Sequence, residues 1–275
     1  MLKTRVITAL VLLAGLLALL YFNSTPAFSV ACTVFFAAAC WETLRMFGNR
    51  RPAIGAAIWT TAFAATAYLF NSHGLETRTL FAICVAILVI RLIPSLAIGL
   101  PRLDSIGNSF LSGTYGIAVF GCFVAILALF GKHSSLYLFS VFAIVWIADT
   151  GAYFAGRAFG KHKLAPSISP GKSWEGAIGG WFAVMLAAAG TILAPALQDT
   201  FPVKLQAAWG WLGLLGATSA LVAASIVGDL FESQLKRRAG MKDSSNLLPG
   251  HGGVLDRIDA LIPALPLAVL LEYWI

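Results

Sequence analysis

The stretch Gly113–Phe130, GTYGIAVFGCFVAILALF, runs eighteen residues without a charged side chain. A run of that length and composition is what an α-helix needs to cross a bilayer. Outward from it the same texture recurs from end to end. Nine apolar segments can be placed: Val6–Phe22, Phe28–Trp41, Ile54–Phe70, Leu80–Ile98, Gly113–Phe130, Leu136–Phe154, Ile178–Leu193, Ala208–Val227 and Val254–Leu271. The second and seventh are short for a span and must extend into their flanks or lie partly re-entrant. Composition agrees: 59% of the 275 residues are hydrophobic and 11% charged, against roughly 25% charged in ordinary soluble chains. The expected fold is an all-α polytopic bundle of about nine spans forming one integral membrane domain, 1–275. Val6–Phe22 is longer than a usual signal core and another apolar segment follows at once, so it reads as a first span.

The charges sort by side. Of 19 lysines and arginines only Arg78, Lys132 and Lys204 fall at one set of segment ends, and the other sixteen fall at the opposite set. Lysine and arginine collect on the cytoplasmic face, so the amino terminus and both long polar connections, 156–176 and 228–253, are expected there. Basic loops beside anionic headgroups account for the net charge of +7 without nucleic acid, and no nucleic-acid module surrounds them. Cys32, Cys40, Cys84 and Cys122 lie in apolar segments without C-x-x-C spacing and read as small hydrophobes.

Chemistry concentrates in the second half, about 136–275. Asp149 sits inside an apolar segment, where an ionised carboxylate is costly unless paired or solvated by a polar cavity. It is either functional or an ion-pair partner, with Arg157 as the nearest candidate. Downstream, Ser167, Ser169, Pro170, Gly171, Lys172 and Ser173 precede a helix start near Trp174, a pattern suited to cradling a phosphate with a helix end and a lysine. The string GKS is not a Walker A motif, because position 166 is proline rather than glycine and no strand is expected before it. In the second connection Asp229 ends one span, and Asp256 and Asp259 open the next, three residues apart on one helical face. Carboxylates at a membrane boundary among lysines and arginines suit a hard cation such as Mg²⁺ bridging phosphate oxygens. A structural zinc site is not expected, since His251 stands alone. Next to Gly250, Gly252 and Gly253, His251 either meets phosphate, moves a proton or braces the turn.

The run Ser233–Asp259, SQLKRRAGMKDSSNLLPGHGGVLDRID, resembles the signature of the phosphatidate cytidylyltransferase (CDP-diacylglycerol synthase) family, bacterial type. Ser233, Leu235, Lys236, Arg237, Lys242, Asp243, His251, Gly252, Gly253, Asp256, Arg257 and Asp259 match its fixed positions. GDLFES, DTGAYFAGRAFGKHKL and SPGKSWEG extend the likeness upstream; the first half is supported by layout alone. The resemblance implies that CTP and phosphatidate react to give CDP-diacylglycerol and pyrophosphate in phospholipid biosynthesis, with Mg²⁺. It implies a multi-pass protein of the bacterial inner membrane with a cytoplasmic active site, and a homodimer. By the same analogy Asp229 and Asp256 hold the metal, and a second cation can be monovalent, such as K⁺. Asp259 would then be a third ligand or a brace, and Asp149 a polar support or further ligand. Lys236, Arg237 and Arg257 would neutralise substrate phosphates. Ser169, Lys172, Ser173 and Lys242 would bind the nucleotide. A CTP-dependent prenol or dolichol kinase is the nearest rival, distinguished by its products. A transporter would place polar residues near the midplane in both halves, which this chain does not.

Overall fold

The computed structural model describes residues 2–275, with side chains from residue 6 onward. Among the described residues there are eleven α-helices: α1 (Leu2–Phe22), α2 (Thr25–Met46), α3 (Pro52–His73), α4 (Arg78–Ile87), α5 (Ile93–Ile98), α6 (Ile106–Lys132), α7 (Ser135–Phe159), α8 (Trp174–Leu193), α9 (Phe201–Arg238), α10 (Leu255–Ile258) and α11 (Leu261–Glu272). A π-helical segment, Leu88–Leu92, joins α4 to α5 in one continuous rod. Among the described residues seven helical rods are long and apolar enough to cross a membrane, and Val6–Phe22 and Leu261–Glu272 are shorter apolar helices. They coincide with the nine expected segments. The two short ones extend into their flanks, α2 to 22 residues and α8 to 20. The ninth divides instead, because α10 ends at Ile258 before α11 begins.

Local sequence explains the ends. Ser105, Ser134 and Ser173 cap α6, α7 and α8 by accepting from the backbone N–H three residues on, while proline opens α2, α3 and α9. Both are ordinary helix-start devices. Inside α9, Gly210 has φ of 67° and ψ of −171°, which breaks the rod. Only glycine takes that conformation readily.

These helices are apolar on all sides, so a polar–apolar face cannot orient them; shape does. α6 forms the centre, against α2, α4 and α11. Phe36 of α2 stacks on Phe63 of α3 at 4.6 Å between ring centroids and meets Phe120 and Phe123 of α6 edge-on at 5.7 and 5.5 Å. Small residues set the closest crossing, between α7 and α8. A Cβ on Gly151 would come within 2.8 Å of Ala183, and one on Gly176 within 2.8 Å of the Ala152 carbonyl. Gly228 does the same where α9 meets α11, since a Cβ there would strike the Asp259 carbonyl and lie 2.8 Å from Pro263 Cδ. Gly228→Ala is therefore expected to destabilise the protein by about 1–3 kcal/mol through overpacking. Thermal denaturation in detergent measures it; an unchanged midpoint would refute this crossing.

One departure from an all-helical chain sits in the first polar connection. Strands β1 (Lys163–Ala165) and β2 (Ser169–Ser173) pair antiparallel, so the SPGKS string lies in a hairpin rather than a bare loop. The four cysteines are buried and unpaired.

Candidate active site

Four segments bring their charges to one cavity of about 580 Å³. From α7 come Asp149, Tyr153 and Arg157; from β2, Ser169, Lys172 and Ser173; from α9, Asp229; and from α10 and the turn after it, Asp256, Arg257 and Asp259. Apolar residues Ala148, Ala152, Leu164, Val222 and Ile226 complete the wall. The close α7–α8 crossing is what lets the hairpin fold over the end of α9. Glu175, in the first turn of α8, fixes the hairpin's base: its carboxylate accepts from the backbone N–H of Lys161 at 3.1 Å and of His162 at 3.2 Å, and contacts His162 Nδ1 at 2.6 Å. With the base held, Lys172 Nζ reaches Asp229 at 2.6 Å.

The adjacent acids Asp256 and Asp259 have different surroundings. Asp256 Oδ2 accepts from Ser244 N, Ser244 Oγ and Gly253 N, each at 2.8 Å, and Oδ1 accepts from Lys236 Nζ at 2.7 Å. One oxygen is thus saturated and clamps the glycine-rich loop, and the other has remaining lone pairs. Among the described residues Asp259 Oδ1 accepts only from its neighbour Ala260 N, at 2.8 Å. Asp229 and Asp259 line the same cavity, where neighbouring carboxylates favour cations.

Several expectations change here. Lys236 was expected to face substrate phosphates; instead its ammonium is held between Asp256 and the fully buried Glu232 as an internal counter-ion. Arg237 and Lys242 are exposed and lie outside the cavity. Arg238 is used in packing, its guanidinium donating to the Pro101 carbonyl at 3.0 Å and lying over Phe47. His251 also lies outside the cavity; its backbone N–H donates to the Leu248 carbonyl at 2.8 Å and closes the turn, and its Nδ1 is buried without a partner among the described residues. Arg157 makes no ion pair with Asp149 among the described residues; its nearest polar contact is the Tyr153 hydroxyl at 3.4 Å. It is left as a cation of the cavity wall. Ser173 lines the wall with a hydroxyl that already accepts from Gly176 N at 3.2 Å, so it has a proton to donate.

Hard oxygen donors are what a magnesium ion takes. Among the described residues no group of three acid, histidine or cysteine side chains stands ready to hold a metal. That is compatible with Mg²⁺, which commonly uses one or two carboxylates and leaves its other positions to phosphates and water. One or two of Asp229, Asp256 (through Oδ1) and Asp259 would meet that requirement.

Sequence reasoning passed over Glu42. Its side chain on α2 is wholly buried and accepts from Val254 N at 3.0 Å, Leu255 N at 2.6 Å and Ser245 Oγ. The signal that could have found it is the one applied to Asp149: a lone acid inside an apolar helix.

The cytidylyltransferase family profile matches residues 3–274. A phosphatidate cytidylyltransferase of Haemophilus influenzae is 36% identical over 97% of this chain and 96% of its own length. One from Pseudomonas aeruginosa is 38% identical over 97% of this chain and 95% of its own. A third, from Brucella suis, is 49% identical over 47% of this chain and 44% of its own length.

Proposed function

Since the chain belongs to the phosphatidate cytidylyltransferase family, we propose that it transfers the cytidylyl group of CTP to phosphatidate in an Mg²⁺-dependent reaction at the cytoplasmic face of a bacterial inner membrane. One observation carries the proposal: a single cavity lined together by the acids Asp149, Asp229, Asp256 and Asp259, the cations Lys172, Arg157 and Arg257, and apolar residues. A triphosphate needs the cations, and a lipid phosphate tethered to acyl chains needs the apolar opening.

The reaction joins two anions. The phosphate monoester of phosphatidate is already a nucleophile, so a strong general base matters less than charge neutralisation and alignment. Lys172, Arg157 and Arg257 are assigned to the phosphates, with the Ser173 hydroxyl and Ser169 as hydrogen-bonding partners of the β2 wall. Asp229, Asp256 and Asp259 are assigned to the magnesium ion, which when bound would neutralise triphosphate charge and assist pyrophosphate departure. Ser244 and Gly253 orient Asp256 for that task, as partners behind a ligating carboxylate commonly do. Asp149 shapes the polar side of the cavity. Lys236 holds the acids Glu232 and Asp256 together and touches no substrate. A homodimer and a second, monovalent cation such as K⁺ belong to the same reading. The side assignment rests on the sixteen-to-three distribution of lysine and arginine.

The deciding experiment incubates purified protein with phosphatidate, Mg²⁺ and CTP labelled at the α-phosphate. Label is expected in the lipid and unlabelled pyrophosphate in solution. Absence of lipid label, with transfer of a γ-label to a polyprenol, would replace this reading with a kinase.

A further inference from the structure

Glu42 lies in the half of the chain that carries no other part of the site, and its side chain has no solvent exposure. Its carboxylate accepts from the backbone N–H groups of Val254 and Leu255, more than two hundred residues away, and from the Ser245 hydroxyl. Those amides are at the entry to α10, which carries Asp256 and Arg257 and leads into Asp259. A four-residue helix is too short to hold its own shape, and its first N–H groups need partners from outside.

The approach is built in. A Cβ on Gly253 would collide with the Glu42 carboxylate and the Ser244 hydroxyl, so the loop passes this close only because the residue is glycine. Burying a carboxylate is costly unless donors compensate it, and a leucine at position 42 would carry no such penalty. Charge-assisted hydrogen bonds to three donors supply that compensation and fix direction as well. Asp256 clamps the same loop from the other side, through Ser244 and Gly253.

We infer that Glu42 is a positioning residue for the transfer reaction: by capping α10 it sets Arg257 and Asp259 in the cavity they share with Asp229 and Lys172. This rests on the function proposed above. Glu175 ties the base of the β1–β2 hairpin through Lys161 and His162, and Lys172 pairs with Asp229, so the triphosphate wall has supports of its own when Glu42 is changed.

The test compares full-length wild type, Glu42→Ala and Glu42→Gln at equal folded amounts, by steady-state kinetics and by amide hydrogen exchange. Glu42→Ala is expected to lower kcat about 100-fold, the scale of an ångström-level misplacement, with a much smaller rise in KM for CTP because Lys172 and β2 keep their own supports. Exchange should rise selectively at Val254 and Leu255. Glu42→Gln keeps a carbonyl acceptor for one of the two amides and should recover part of the loss. Wild-type kcat in Glu42→Ala overturns the inference, and so does a fall in kcat with both amides still protected. If Glu42→Ala does not fold, Glu42→Gln decides: reduced kcat with one amide deprotected supports the inference, and wild-type kcat with both protected overturns it. An inactive wild type would instead overturn the underlying functional reading, which separates the two failures.

Discussion

Asp229→Asn is expected to lower the rate of cytidylyl transfer by about 10³-fold, the scale seen when a main electrostatic stabiliser is removed, while leaving the fold intact. The stability half of this expectation follows from exposure. Asp229 and Lys172 are 30% and 27% exposed, and a pair so open to water contributes about 0–1 kcal/mol. Asparagine keeps the shape and loses only the charge. A denaturation midpoint within about 2 °C of wild type should accompany the lost turnover. Retained turnover would remove Asp229 from the metal and triphosphate chemistry.

Asp256→Asn should lose activity for a different reason, and the two variants can be told apart without a substrate. The Asp256 side chain is 4% exposed and takes four donors from three residues. Asparagine can offer its carbonyl to Ser244 and Gly253, but its amide then turns N–H groups toward the Lys236 ammonium. A donor facing a donor in a buried network costs about 1–3 kcal/mol, and Lys236 is left with Glu232 alone. A midpoint lower by about 3–10 °C is expected, together with loss of transfer. Loss of transfer at wild-type stability would mean that Asp256 does not hold the loop.

The contrast shows what could be read from the sequence. Asp149, Asp229, Asp256 and Asp259 are conspicuous because charge inside or beside an apolar segment is costly, and all four line the cavity. Lys172 is legible in the same way, from glycine, serine and proline next to a helix start. What the sequence hides is direction. Lys236, Arg237 and Arg238 are consecutive, yet one turns inward to two acids, one to the exterior and one onto Phe47. Helical neighbours point about 100° apart, and only the packed partner decides which of them faces in. The nine apolar segments are legible by length, but the order in which they pack is not. That order depends on Gly151, Gly176, Gly179 and Gly228, whose importance lies in the neighbour each admits. Glu42 combines both difficulties, since its partners are over two hundred residues distant.

The break at Gly210 turns α9 into a ruler. From Gly210 to Asp229 a helix rises about 28 Å, nearly the roughly 30 Å depth of a bilayer's hydrocarbon layer. A bilayer with one edge at the break would have Asp229 at the other, and the remaining turns to Arg238 would project about 13 Å beyond it. A lipid phosphate is kept at the same level by its acyl chains. In that placement nucleophile and carboxylate would meet at a shared height, and the lipid would not have to be lifted from the membrane to react.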